Sequence, residues 1–240
     1  MRLDVLWHDL ECGGYEEDLP LWRALAGETG GVVLDVGAGT GRVSLELAAG
    51  GVSVVALDAD AALLAALERR ATGLGVETVV ADARDFALGR RFSLVLVPMQ
   101  TLQLLGGPTG RAAFLRRALD HLEPGGVLAA ALADAMDCFD EEHHLPPPPD
   151  ACEIAGVRYA SHLISVVDED GRAAIHRRRE IIRPAESSDS VEAVVRLDRV
   201  TAAEVAAEAA ALGFLVEPPR LIPETEEYLG STVIILRAPL

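Results

Sequence analysis

Residues 33–48 read VLDVGAGTGRVSLELA: an apolar run broken only by Asp35, a turn with glycine at 37, 39 and 41, and then a helix-like stretch. Residues 31–36 are expected to form a strand covered on both faces, because no polar alternation interrupts them before Asp35. A helix should follow to about Ala49, where Gly50-Gly51 stops it. A glycine turn between strand and helix lets backbone approach a bound nucleotide closely. Which nucleotide it suits is the question the rest of the chain must answer.

Working outward, the same alternation repeats. VSVVALD (52–58) reads as a second buried strand ending at Asp58, and the next helix has Asp60 as its cap. VETVVAD (76–82) is a third strand ending at Asp82, and RFSLVLVP (91–98) a fourth ending at Pro98. A helix over 109–122 is closed by EPGG (123–126), and GVLAAALAD (126–134) is a fifth strand. Upstream, residues 20–27 form a short helix with Pro20 in its first turn. Strand–helix alternation with short loops predicts an α/β fold, a doubly wound and mostly parallel sheet.

After residue 134 the pattern changes. AMDCFDEEHHLPPPPD (135–150) is acidic and then proline-rich, and its prolines bar a helix or central strand at 146–149. Beyond it the period becomes two, in VRYASHLISVV, RAAIHRRREII and SVEAVVRLDRV, which predicts three antiparallel strands. Alternation puts Arg177 and Arg179 on one face and Arg178 on the other, so pairing with nearby acids is expected rather than one basic patch. Thr201-x-x-Glu204 starts a last helix with a capping box, and residues 214–222 and 231–238 are two further strands. The expected organisation is a core of 1–134 and 201–240, with 135–200 inserted as a small antiparallel β cap after the fifth strand, over the substrate site.

Composition bounds the partners. The chain has 21 basic residues, all arginine, against 38 acidic ones, a net charge of −17, which repels nucleic acid and anionic membranes. Without lysine there is no Schiff base and no P-loop. Cys12, Cys138 and Cys152 form no CxxC pair and read as free thiols of a reducing, cytoplasmic compartment. No apolar run is long enough to span a membrane. The acidic loop after the fifth strand is expected to be solvated rather than to hold a metal.

A dinucleotide turn wants GxGxxG, whose third glycine lets the helix pack beside a pyrophosphate. Gly37 and Gly39 fit, but the sixth position is Arg42, and the third glycine comes one place early, at Gly41. Asp58 stands where a carboxylate can accept both hydroxyls of a ribose, which suits NAD or S-adenosylmethionine equally. Asp82 adds a carboxylate for an adenine amine, and Asp35 lies just before the turn. Acids gathered around a glycine turn suit a sulfonium with an ammonium, and suit a pyrophosphate badly.

In order and spacing, VLDVGAGTG, the acid at Asp58, ADARDF (81–86) and LEPGG (122–126) resemble the successive motifs of class I S-adenosylmethionine-dependent methyltransferases. YEEDLPLW (15–22) resembles the lead-in helix of bacterial small-molecule methyltransferases. The resemblance implies a seven-stranded sheet whose last strand is antiparallel and inserted beside the fifth. It also implies that the backbone of Gly37, Ala38 and Gly39 approaches the methionine part of the cofactor, with Asp35 nearby. Asp58 would hold the ribose, Asp82 and the Ala83 backbone the adenine, and Pro98 and Met99 would border the reacting methyl. Tyr15 would close over the methionine part.

Methyl transfer is then expected by in-line displacement, driven mainly by alignment, to an N or O atom of a small metabolite. His143 and His144, in the loop after the fifth strand, are the candidates for a base. His8, His121, His162 and His176 show no partner pattern and read as surface or cap residues. The [DN]PP[FYW] motif of methyltransferases acting on nucleobases is replaced by VPMQ, which with the charge argues against DNA or RNA. A homodimer is a further option. Two other readings remain: a non-catalytic S-adenosylmethionine-binding protein, and an NAD(P)-dependent oxidoreductase, for which the chain lacks a Tyr-x-x-x-Lys pair.

Overall fold

The computed structural model describes residues 2–133, 137–140, 144, 146–184, 188–225 and 228–240. In chain order the elements are α1 (Leu3–Cys12), α2 (Leu19–Thr29), β1 (Val33–Val36), α3 (Arg42–Ala49), β2 (Val54–Asp58), α4 (Ala61–Arg70), β3 (Val76–Val80), β4 (Phe92–Val97), a 3-10 turn (Thr101–Leu104), α5 (Gly107–His121), β5 (Leu122–Leu132), β6 (Phe139–Asp140), β7 (Asp150–Ile154), β8 (Val157–Glu169), β9 (Arg172–Ile182), β10 (Asp189–Asp198), α6 (Ala202–Ala211), β11 (Leu215–Ile222) and β12 (Ser231–Arg237). They divide into a larger unit, Tyr15–Asp134 with Val200–Leu240, and a smaller one, Met1–Gly14 with Ala135–Arg199.

The larger unit is built on a seven-stranded sheet in the order β11-β12-β5-β4-β1-β2-β3. β1 pairs in parallel with β2 and β4, β2 with β3, and β4 with β5. β12 runs antiparallel between β5 and β11. Alternate residues of each strand feed two cores, which is why the strands read as continuously apolar. Leu34, Val36, Val55, Leu57, Val95 and Val97 pack with Phe114 and Leu115 of α5 and Val205 of α6. Val33, Val54, Leu94 and Leu96 pack on the other face with Trp22 and Leu25 of α2 and Val43 and Leu47 of α3. Each fully buried large side chain contributes roughly 1.5–3 kcal/mol, so neither layer is dispensable.

Local chemistry sets the helix ends. Asp60 caps α4 by accepting from the Ala62 and Leu63 N–H groups at 2.7 and 3.2 Å. At α6 the Thr201 hydroxyl accepts from Glu204 N–H while the Glu204 carboxylate accepts from Thr201 N–H, a complete capping box. The junction of α5 and β5 differs from the sequence expectation. Leu122 already pairs with Phe92, and the ladder resumes at Val127 with Leu94, so EPGG bulges out of a strand instead of separating helix from strand.

The smaller unit is a five-stranded antiparallel sheet, one path running β10-β9-β8-β6 with β7 also on β8. The three expected strands are present, and β6 and β7 add to them by pairing with successive parts of the 13-residue β8. β6 lies within the acidic stretch, whose composition carries no strand signal. α1 belongs to this unit. Trp7 meets Tyr159 edge-on at 5.9 Å, and the Glu11 carboxylate accepts from both Arg179 nitrogens, Nε and Nη2, and from Ser161 Oγ. Burial pushes Glu11 upward, but these donors more than offset it and hold the carboxyl below its ordinary range. Arg177 and Arg179 thus share one face and one acid, while Arg178 turns to Glu180, as the alternation predicts. Among the described residues no helix is long and apolar enough to cross a membrane.

Candidate functional site

In the larger unit the strand order reverses at β1. From there the chain runs outward through β2 and β3, and later returns to β4 on the other side. Ligands of open α/β sheets bind in the crevice at the carboxyl ends of the strands on either side of such a reversal. The glycine turn leaves β1 there and meets the loop leaving β4. Gly37 holds φ at +74°, and a Cβ built on it would lie 2.5 Å from Thr101 Cγ2 and 2.6 Å from Thr101 Oγ1. Only glycine lets the two loops touch.

The N–H groups of the turn are committed to β2. Those of Gly37 and Ala38 donate to Leu57 O at 2.8 and 3.1 Å. That of Gly39 donates to Asp58 Oδ2 at 2.8 Å, while Asp58 Oδ1 accepts from Asp60 N–H at 2.8 Å. Donors that would cradle a phosphate are therefore occupied by the protein itself, one of them by a carboxylate. Each Asp58 oxygen keeps a lone pair beyond these bonds, which suits hydroxyl donors.

Asp35, at the end of β1, is 1% exposed. Ser44 Oγ, from α3, donates to its Oδ2 at 2.6 Å, while Oδ1 is buried with no hydrogen-bond partner among the described residues. Burial raises its carboxyl from 3.8 to about 6, against the opposing pull of the Ser44 hydrogen bond and the nearby Arg42 charge. A buried, under-satisfied acid directly behind a glycine turn fits a cationic ligand at that turn, and disfavours an anionic one.

Asp82 lies beyond the end of β3, exposed. Arg84 grips it, with Nε to Oδ1 at 2.9 Å, Nη2 to Oδ2 at 2.6 Å, and the Arg84 N–H also on Oδ1, holding the carboxyl at about 2. Ala83 is half-buried beside it, packed against the core that holds α5. Beyond β4, Pro98 is buried, and Met99 takes φ of +53°, a left-handed backbone that costs a non-glycine residue about 1–2 kcal/mol. The turn after it is pinned by Gln103, whose side-chain amide donates to Ala133 O at 3.2 Å and accepts from Ala133 N–H at 3.0 Å. The loop after β4 is thereby tied to the end of β5.

Tyr15 is buried, its ring edge-on to Tyr228 at 5.0 Å and its phenol held above the ordinary range chiefly by burial. Asp18, Ser44, Thr101 and Gln103 were not singled out by sequence. Asp18 carried the only usable signal, since an acid ahead of Pro20 reads as a helix cap. It occupies that position, but its side chain makes no capping bond and pairs with Arg42 instead.

Gly41 explains the early third glycine. It holds φ at +97° as the residue preceding α3, and a Cβ there would come within 2.1 Å of Leu67 Cδ1. It serves helix packing. His121 also departs from expectation. It is buried at the end of α5, with Nδ1 at 2.7 Å from Arg117 O and Nε2 accepting from Leu88 N–H at 3.0 Å, which uses both ring nitrogens structurally. In the smaller unit, His144 is exposed, with its Nδ1 at 3.1 Å from Asp140 O. His143 and Asp134 lie outside the described residues.

A parallel five-strand run with an antiparallel strand inserted beside β5, and a glycine turn answered by an acid ending β2, make up the class I methyltransferase fold the sequence resembles. Residues 33–126 match the methyltransferase domain family. The cypemycin N-terminal methyltransferase of a Streptomyces species is 33% identical over 151 residues, 63% of this chain and 58% of that protein. The dTDP-3-amino-3,6-dideoxy-alpha-D-glucopyranose N,N-dimethyltransferase of Streptomyces fradiae is 36% identical over 96 residues, 40% of this chain and 37% of that protein. The matched stretch therefore spans less than two thirds of either relative. The structure of CalS10 with bound S-adenosylmethionine, an amino pentose methyltransferase from Micromonospora echinaspora, shares the fold, with a TM-score of 0.72 at 22% identity over 99% of this chain and 97% of that one. The chain shares the fold of these methyltransferases, and its match to the methyltransferase domain family spans residues 33–126.

Proposed function

We propose that this chain is an S-adenosylmethionine-dependent methyltransferase acting on a nitrogen of a small metabolite. The observation that carries the reading is the Asp58 carboxylate bonded to the Gly39 N–H, with buried Asp35 behind the same turn. Two acids converge where a phosphate would need free donors, which favours a sulfonium cofactor over NAD(P). Asp58 would hold the ribose, the Gly37–Ala38–Gly39 backbone and Tyr15 the methionine part, and Pro98 and Met99 the surroundings of the methyl. Asp82 would read the adenine amine together with Ala83, sharing its oxygens with Arg84.

S-adenosylmethionine, when bound, would supply an electrophilic methyl group on its sulfonium, with the neutral thioether as the leaving group for an acceptor lone pair. The protein's part is alignment, which can supply roughly 7–11 kcal/mol. The N,N-dimethyltransferase named as the Streptomyces fradiae relative supports an amine acceptor here. An amine arriving protonated must lose a proton first, and His144 is the proposed base. Its Nδ1–H donating to Asp140 O would leave Nε2 as the basic nitrogen. The net charge of −17 supports a small acceptor rather than nucleic acid, and three widely spaced cysteines with no CxxC pair support a reducing cytoplasm. A homodimer is the assembly to test by sedimentation.

Calorimetric titration with S-adenosylmethionine and, separately, NAD(H) tests the reading. Binding of S-adenosylmethionine alone, lost in Asp58→Ala and weakened in Asp58→Asn, is expected. Binding of NAD(H) instead, or equal binding by the Asp58 variants, would sink it.

A further inference from the structure

Arg42 stands where a dinucleotide turn would carry its third glycine, and the structure shows what it does there. It is the first residue of α3, and its side chain reaches back to the start of α2. Nη1 donates to Asp18 Oδ1 at 2.5 Å and Nη2 to Asp18 Oδ2 at 2.7 Å, a bidentate fork. Nη1 also donates to the Tyr15 carbonyl at 2.7 Å, and the guanidinium carbon lies 5.2 Å from the centre of the Tyr15 ring. Asp18 is 1% exposed and the Arg42 side chain 11%.

A desolvated ion pair is a poor way to gain stability, because the cost of taking two charges out of water offsets most of their attraction. Such a pair is more informative about geometry. This one joins the residue after the glycine turn to both the backbone and the ring of the first residue of the larger unit. Tyr15 follows the exposed Gly13-Gly14, which impose little direction on the chain. Its ring is bracketed by Arg42 and by Tyr228.

We infer that Arg42 and Asp18 are positioning residues that hold Tyr15 against the glycine turn and thereby set cofactor affinity. The inference rests on the proposed function, in which Tyr15 covers the methionine part of S-adenosylmethionine. It assigns the arginine a role that lysine cannot fill, since an ammonium offers neither the planar fork nor the stacking face.

The test uses Arg42→Lys, Asp18→Asn and Tyr15→Ala, with the double variant Arg42→Lys/Tyr15→Ala. Affinity for S-adenosylmethionine is measured by calorimetry, and cooperative thermal unfolding is followed alongside. Arg42→Lys and Asp18→Asn should each weaken binding about tenfold, the scale of losing one charge-assisted bidentate contact. If Arg42 acts through Tyr15, the double variant should bind no more weakly than Tyr15→Ala alone. Once an acceptor is in hand, KM for the cofactor should rise in Arg42→Lys with kcat little changed. Additive losses, or wild-type affinity in both single variants, would overturn the inference, as would variants too unstable to fold at the assay temperature, since the pair would then be structural only. Wild-type protein that does not bind S-adenosylmethionine would instead remove the underlying proposal.

Discussion

Replacing Asp35 by asparagine should flatten one component of the stability–pH curve of this protein. The folded chain keeps a proton on Asp35 up to about pH 6, against 3.8 for the free side chain, because burial opposes the carboxylate more than Ser44 and Arg42 support it. Between those two pH values the folded state holds a proton that the unfolded state has released, so stability falls as pH rises. Below the unfolded value the penalty vanishes, and above the folded value it is complete. A rise of about two pH units corresponds to roughly 3 kcal/mol, as an upper figure. For a chain of this size that is a shift in Tm of about 6–12 °C.

Many other carboxylates titrate in the same window, so the informative quantity is the difference between wild type and Asp35→Asn. Thermal unfolding of the ligand-free proteins from pH 4 to pH 8 should show the variant gaining on the wild type as pH rises through 4–6, then running parallel. Ser44→Ala removes the hydrogen bond that supports the ionised form, and should push the wild-type inflection to higher pH. Parallel curves for wild type and Asp35→Asn across the whole range would show that Asp35 is ionised and solvated at low pH, and would refute the argument from burial.

A cation bound at the turn favours ionised Asp35, so affinity for S-adenosylmethionine should rise between pH 5 and pH 7, with proton release on binding read from calorimetry in buffers of different ionisation enthalpy; a flat profile or proton uptake would separate Asp35 from the cofactor. Gly37→Ala meets Thr101 and forces a left-handed alanine, and should abolish cofactor binding with a stability loss of about 1–3 kcal/mol by chemical denaturation. Thr101→Gly in that background should recover part of the clash but none of the backbone strain. Gln103→Leu leaves the Ala133 backbone groups without their partner, and should cost about 1–3 kcal/mol on the same assay.

The sequence by itself determined what is local or repeated along the chain. Continuous apolar runs marked the strands covered on both faces, the glycines at 37, 39 and 41 marked a turn that needs positive φ, and Asp58 and Asp82 followed the strand ends that place them. The capping signatures at Asp60 and Thr201 and the alternation of the arginine run were equally legible, because each depends on residues within a few positions. Tertiary structure decided the contacts that no period encodes. Asp18 meets Arg42 across 24 positions, Gly37 needs room for Thr101 and Gly41 for Leu67, and Gln103 finds Ala133 across 30. The same holds for His121, which has no sequence motif yet lies buried because α5 ends against the chain at Leu88. Whether Asp35 titrates near 4 or near 6 is likewise a property of the layers packed around it. Periodicity specifies which face of an element is apolar. Which polar side chain waits on the facing element follows only from the crossover topology that brings the two together.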